Sequence, residues 1–260
     1  MDKKAIICPF SIKGVLLLPW LLALCLATAP VRAGELSIWQ DWDNLLGDAV
    51  VDGKINYTLM QRRKGFRKTL NNIAFADTNL LIGNTSKLAF YINSYNVFAI
   101  KGILEGHSPI TLWGRHRYFK TATFKVGGRT VNLHDLEHSI IRPLGDPRIH
   151  FVLACGARGC PSLRDEAYTA DQLELQLDDA TRTFINDPNR NNFDRETRTA
   201  HLSMLFQWYA NDFQEAGGVL AYIANYIDDP GLAEDLAAGG YTIKFQEFNW
   251  KLNGTFPFMK

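Results

Sequence analysis

Between Lys87 and Leu104 the apolar residues Leu88, Tyr91, Ile92, Tyr95, Val97, Phe98, Ile100, Ile103 and Leu104 cover nearly the whole circumference of a helix. A helix that is apolar all round is a buried one, so this segment is the post around which the rest of the chain must pack. Ser86 is a suitable N-cap for it and Gly106 a stop. Asn93 and Asn96 lie one turn apart on a face that meets protein, where each side-chain amide needs partners. Either they bond neighbouring loops or they orient a catalytic group.

The other elements are shorter. Leu36 to Val51 has helical spacing through Trp39, Trp42, Leu45, Leu46 and Val50, and Tyr57 to Ala76 reads as a second helix with a solvated basic face. Tyr118 to Leu133 alternates around Gly127-Gly128 and predicts a β-hairpin. A short helix over 134–142 is ended by Pro143, and Phe151 to Ala154 reads as a buried strand. Thr169 and Gln172 have capping-box spacing for a helix running to Asn186. A hairpin over 193–203, helices near 204–211, 219–226 and 230–237, and a strand over 241–248 complete the reading. With no repeat, low-complexity tract or linker, the expectation is a single α+β domain over residues 34–260: a central buried helix, surrounding helices, short antiparallel hairpins and a small sheet.

Lys3, Lys4 and Lys13, an apolar stretch from Gly14 to Ala27 and the small-x-small site Val31-Arg32-Ala33 predict a secretory signal peptide over residues 1–33. Export to the periplasm or the extracellular space follows. Without those residues the chain keeps 24 basic against 26 acidic side chains, a net charge of −2. That balance does not suit nucleic acid or an anionic membrane. No later stretch is long and apolar enough for stable membrane insertion.

Of four cysteines, Cys8 and Cys25 fall in the leader, which leaves Cys155 and Cys160. In an exported protein two such cysteines invite a disulfide. Closing so short a loop contributes only about 2 kcal/mol on the chain-entropy model, so the pair merits a chemical reading as well. As a nucleophile, Cys155 needs a base and an orienting group. His150 lies five residues upstream, some 16 Å away along a strand at about 3.3 Å per residue, so His138 is the better partner. Glu137, Asn93 or Asn96 could orient His138. Arg142, Arg148, Arg158 and Arg164 add positive charge, which lowers a cysteine pKa. Alternatively the two thiols cycle between dithiol and disulfide, or stay closed in a binding module. His134-x-x-Glu137-His138 has the order of a zinc-protease motif but no obvious third ligand follows. No metal or cofactor is expected.

Several short motifs, in order, resemble one family: Leu88 to Asn96, Leu136-Glu137-His138 with Ile141-Arg142, Asp146 to Phe151, Cys155 with Ser162 and Arg164, Trp208-Tyr209 with Asp212-Phe213, and Asn249 to Asn253. The chain is identified on them as a member of the domain of unknown function 547 family over about residues 50–253. The resemblance brings no assigned activity. It implies that Cys155 is the likelier reactive thiol, since some relatives carry serine at the place of Cys160. Relatives usually lack a histidine at His134, which argues further against zinc.

These observations lead to an expected cysteine-dependent enzyme acting on an amide, ester or thioester. Cys155 is its nucleophile, His138 its base, and Glu137 or Asn93 the orienter. The alternatives are a thiol–disulfide protein using Cys155 and Cys160 with a redox partner, and a non-enzymatic binding module. A small molecule or peptide is the expected substrate.

Overall fold

The computed structural model describes residues 29–255, with side chains from Ile38 onwards. The expected leader lies outside the described residues, apart from 29–33 at the start of the first helix.

Helix α1 (Ala29–Ala49) runs into a small hairpin, β1 (Val50–Val51) and β2 (Lys54–Ile55). The expected helix over 57–76 is two helices, α2 (Tyr57–Arg62) and α3 (Lys64–Phe75), broken where Arg63 turns extended. The central helix α4 (Gly83–Leu104) starts before Ser86, whose capping role is not used, and it ends at the expected place. Fourteen of its residues are buried, including Asn93 and Asn96. Helix α5 (Leu112–His116) continues into a π turn over Arg117–Thr121, so the expected hairpin shortens to β3 (Phe124–Val126) and β4 (Arg129–Val131). Its two-residue turn holds Gly127 and Gly128 at φ 54° and 76°, a conformation that favours glycine.

The segment after β4 winds as α6 (Leu133–Asp135), a π turn (Leu136–Ile141) and a 3₁₀ turn (Arg142–Leu144) that accommodates Pro143 in its first turn. The expected strand over Phe151–Ala154 does not form. Asp146 caps a 3₁₀ turn over Pro147–Phe151, its side chain accepting from the Arg148 N–H, and Pro147 is set for a helical start. Apolar run length could not distinguish that turn from a buried strand.

Helix α7 (Leu173–Ile185) forms without the Thr169 capping box. Gln176 instead reaches back to accept from the Thr169 N–H and to donate to the Ala167 carbonyl. Strands β5 (Asn192–Asp194) and β6 (Thr199–Leu202) make the second hairpin. After α8 (Met204–Trp208), a 3₁₀ stretch over Ala210–Ala216, α9 (Val219–Ala224) and α10 (Pro230–Ala237), strand β7 (Thr242–Phe245) pairs parallel with β6. Helical connections of that length return a strand in the same direction, which a hairpin cannot do.

The architecture is α+β, with two apolar clusters. One surrounds α4 and takes in Trp39, Trp42, Tyr95, Phe98 and Leu136. The other gathers Phe151, Phe184, Phe206, Phe213 and Tyr222. The segment 149–153 belongs to both, with Ile149, Val152 and Leu153 in the first and Phe151 in the second. It leads directly into the cysteine loop.

Candidate functional site

Asn96 holds the backbone that enters that loop, and Asn93 the backbone at Tyr168, beyond it. The Asn93 amide donates to the Tyr168 carbonyl at 2.7 Å and its oxygen accepts from the Tyr168 N–H at 3.0 Å. Asn96 treats the approach to Cys155 the same way, donating to the Val152 carbonyl at 3.1 Å and accepting from the Ala154 N–H at 2.9 Å. Neither amide contacts His138. Both bond neighbouring loops, and Asn96 positions the backbone just ahead of Cys155.

Cys155 and Cys160 are joined in a disulfide, with Cα atoms 5.7 Å apart. Cys155 is half-buried and Cys160 is 2% exposed. Gly156 sits between them at φ 77°, and a Cβ there would lie 2.3 Å from Ile103 Cδ1, so only glycine lets the loop seat against α4. The loop is stitched to a distant segment through Arg158 N–H to the Lys251 carbonyl, Gly159 N–H to the Asn249 carbonyl and Asn253 N–H to the Gly156 carbonyl.

Both cysteines line a cavity of about 520 Å³ together with Glu137, His138 and His150. Here the sequence reading of His150 is corrected. The 3₁₀ turn is far shorter per residue than a strand, so the 16 Å separation does not apply and His150 shares the cavity. Arg164 is also corrected. It pairs with Glu166 and Asp179 and lines a separate depression with Ser162 and Arg190. Arg148 is tied up by Asp146, Glu174 and Asp178, so of the four arginines expected near the thiols only Arg142 lines the cavity.

Hydrogen bonds set the state of each histidine. A guanidinium only donates, so His138 Nδ1, 2.9 Å from Arg142 Nη1, must accept and the ring proton sits on Nε2. Burial, with the nearby His134 and Arg142, lowers its pKa to about 4. His138 is therefore a neutral donor at pH 7, where the sequence suggested a base. His150 Nε2 lies 2.7 Å from Asp212 Oδ2 and donates to it. Its Nδ1 is buried without a partner, so a second proton has no acceptor there. Burial outweighs the Asp212 contact and lowers this pKa to about 4 as well, leaving a free lone pair on Nδ1. The ring stacks on Tyr209 with centroids 3.7 Å apart.

Asp212 is the hub. It takes a bidentate pair from Arg142, Nε at 2.9 Å and Nη2 at 2.6 Å, besides the His150 bond. Burial works to raise its carboxyl, but the bonds from Arg142 and His150 hold it below the usual range. Glu137 does not orient His138. Its Oε1 accepts from the Tyr209 hydroxyl at 2.5 Å, and burial pushes the carboxyl up despite that bond and the nearby Arg142 and His134. Asp212, Tyr209 and Tyr95 carry no role in the sequence reading. Trp208-Tyr209 and Asp212-Phe213 stood only as family motifs, with no spacing that ties them to residues 60 to 70 positions earlier.

One wall of the cavity is aromatic. Phe248 lies 4.9 Å from Trp208 and 4.5 Å from Trp250 between centroids, and Trp208 is 43% exposed. Arg115 packs over the Trp250 ring at 4.2 Å.

Residues 81–185 match the model of the family described as Protein of unknown function, DUF547, a span that includes α4, the Glu137-His138 turn and both cysteines. No curated protein and no solved structure matches the chain. Residues 81–185 of this chain thus carry the DUF547 family region.

Proposed function

We propose that the protein catalyses thiol–disulfide exchange at Cys155–Cys160 inside this cavity. The observation that carries the reading is that the bonded pair forms cavity wall and is unequally buried, with Cys155 the more accessible sulfur. A substrate thiolate attacks Cys155 Sγ, the Cys155–Cys160 bond breaks, and Cys160 leaves as a thiolate. A second substrate thiolate then attacks the mixed disulfide and releases Cys155 as a thiolate and the substrate as a disulfide. Two electrons pass from substrate to protein. A departing thiolate needs positive charge and donors, and the cavity offers Arg115, Lys120 and the His138 Nε2–H. Residues 1–33 support reading the chain as exported, a setting where such a pair has partners.

Incubation in graded reduced and oxidised glutathione, followed by acid quench, alkylation and intact mass, tests this. The pair is expected to titrate between disulfide and dithiol, and Cys160→Ser to trap glutathione on Cys155. A disulfide that persists in excess reduced glutathione overturns the proposal.

The His150–Asp212 dyad favours a second reading, the hydrolysis of an amide, ester or thioester. After reduction, the lone pair of His150 Nδ1 takes the Cys155 proton as the sulfur attacks a carbonyl. The His138 Nε2–H and loop N–H groups then receive the oxyanion. Hydrolysis of a thioester panel that appears only on reduction and disappears in Cys155→Ala supports it; none in either state excludes it.

A further inference from the structure

The charges around the cavity do not balance. Among the lining residues Glu137 is the one carboxylate, and it is engaged by Tyr209. Arg142 is neutralised by Asp212. Arg115 and Lys120 also line the cavity, and neither has an ion-pair partner among the described residues. Arg115 Nε is buried with no hydrogen-bond partner, a donor whose desolvation nothing in the described fold offsets. Its guanidinium carbon lies 4.2 Å from the centroid of the Trp250 ring, beside an aromatic wall that leaves Trp208 nearly half exposed. The depression around Arg164 shows the opposite arrangement. There Arg164 meets Glu166 and Asp179, and Arg190 meets Asp187, so its charges close on one another.

We propose that the cavity selects thiol substrates that carry a carboxylate, held by Arg115 and Lys120, on an apolar body laid against Trp208, Phe248 and Trp250. The inference rests on the reading that exchange takes place in this cavity. A planar guanidinium packed over an aromatic ring presents its donors to a carboxylate at little cost in side-chain freedom, while the lysine adds a mobile charge. The apolar body gains from covering aromatic surface that the fold leaves to solvent.

The test is the rate at which small thiols reduce Cys155–Cys160 in the oxidised protein at low salt, each rate divided by its thiolate concentration. The probes are 3-mercaptopropionate (anionic), 2-mercaptoethanol (neutral), cysteamine (cationic) and 2-mercapto-3-phenylpropionate, which adds a ring to the anion. The anionic thiol is expected to exceed cysteamine by about tenfold or more, as steering into a cationic cleft gives, with the neutral thiol between them and the ring-bearing acid fastest. The anion-to-cation ratio should collapse in the Arg115→Gln/Lys120→Gln variant and at high salt. Equal rates for the three charges, or an unchanged ratio in the double variant, overturn the inference and leave exchange standing. Failure of every thiol to reduce the pair overturns exchange itself, and this inference with it.

Discussion

Two sets of polar groups, one buried and one mostly part-buried, bear on the stretch from His150 to Tyr168, and they are finished differently. Below it, Asn93 and Asn96 each give and take one bond with loop backbone. Above it, the cavity set of His138, Arg142, His150 and Asp212 is bonded internally but leaves His150 Nδ1 without a partner, and Arg115 Nε is left so nearby. A satisfied buried amide contributes to stability, while an unmet buried donor or acceptor costs it. The lower set is thus explained by folding alone. The upper set leaves an unmet acceptor and an unmet donor on residues of the cavity wall, where a ligand can meet them.

This contrast breaks first if the lower set proves dispensable. Asn96→Ala strands the Val152 carbonyl and the Ala154 N–H, and Asn93→Ala does the same at Tyr168. Each should cost about 3 kcal/mol, read as a lowered urea midpoint with an unchanged slope. A loss near zero would mean the amides are not structural. Tyr209→Phe, in the upper set, should cost about 1 kcal/mol by the same measurement, since Glu137 can protonate when its donor is removed. Burial and then His134 lower the His138 pKa most, and Arg142→Met removes the next contribution, so that pKa should rise part of the way from about 4 in an NMR titration. No movement would mean that burial and His134 set it without Arg142. The mildest effect is with pH. His138 and His150 have folded pKa values of about 4, below the unfolded value near 6.5, so between those limits the unfolded chain binds more protons. Stability should therefore be full above pH 6.5 and decline as pH falls toward 4. The raised Glu137 carboxyl opposes this, because its burial favours the protonated form, and Tyr209→Phe should flatten the decline further. A profile that rises steadily from pH 6.5 to 4 would mean that Glu137 outweighs both histidines.

The central helix was legible because its apolar positions leave no polar face, and only burial accommodates such a pattern. The loop chemistry was legible in part. Cys155, Cys160, Glu137 and His138 do line one cavity, since a cysteine loop and a turn packed on the same helix have few other places to go. The placing of His150 failed because Phe151 to Ala154 is apolar at every position, which fits a buried strand and a buried turn equally, and Pro147 with Asp146 decided between them. The hydrogen bonding of His138 was hidden for another reason. Which nitrogen carries the proton depends on Arg142, one helical turn on, and therefore on the winding of a π turn that no periodicity announces. Asp212 and the aromatic wall come from far along the chain, and a single sequence holds no distance between them and the cysteines.

The stitching of the cysteine loop onto residues 249–253 has a consequence for synthesis. Loop closure over about a hundred residues is entropically late, and the same distal segment also ties to the first hairpin, where Asn253 Nδ2 donates to the Gly53 carbonyl across a separation of 200. During translation α4 and the turns around it can pack long before the Trp250 strand of contacts exists. Cys155 and Cys160, only five positions apart, can meet in that interval with one side of their cavity still unbuilt. The nascent chain thus passes through a stage in which Cys155 and Cys160 can pair before the aromatic wall that will face them has been laid down.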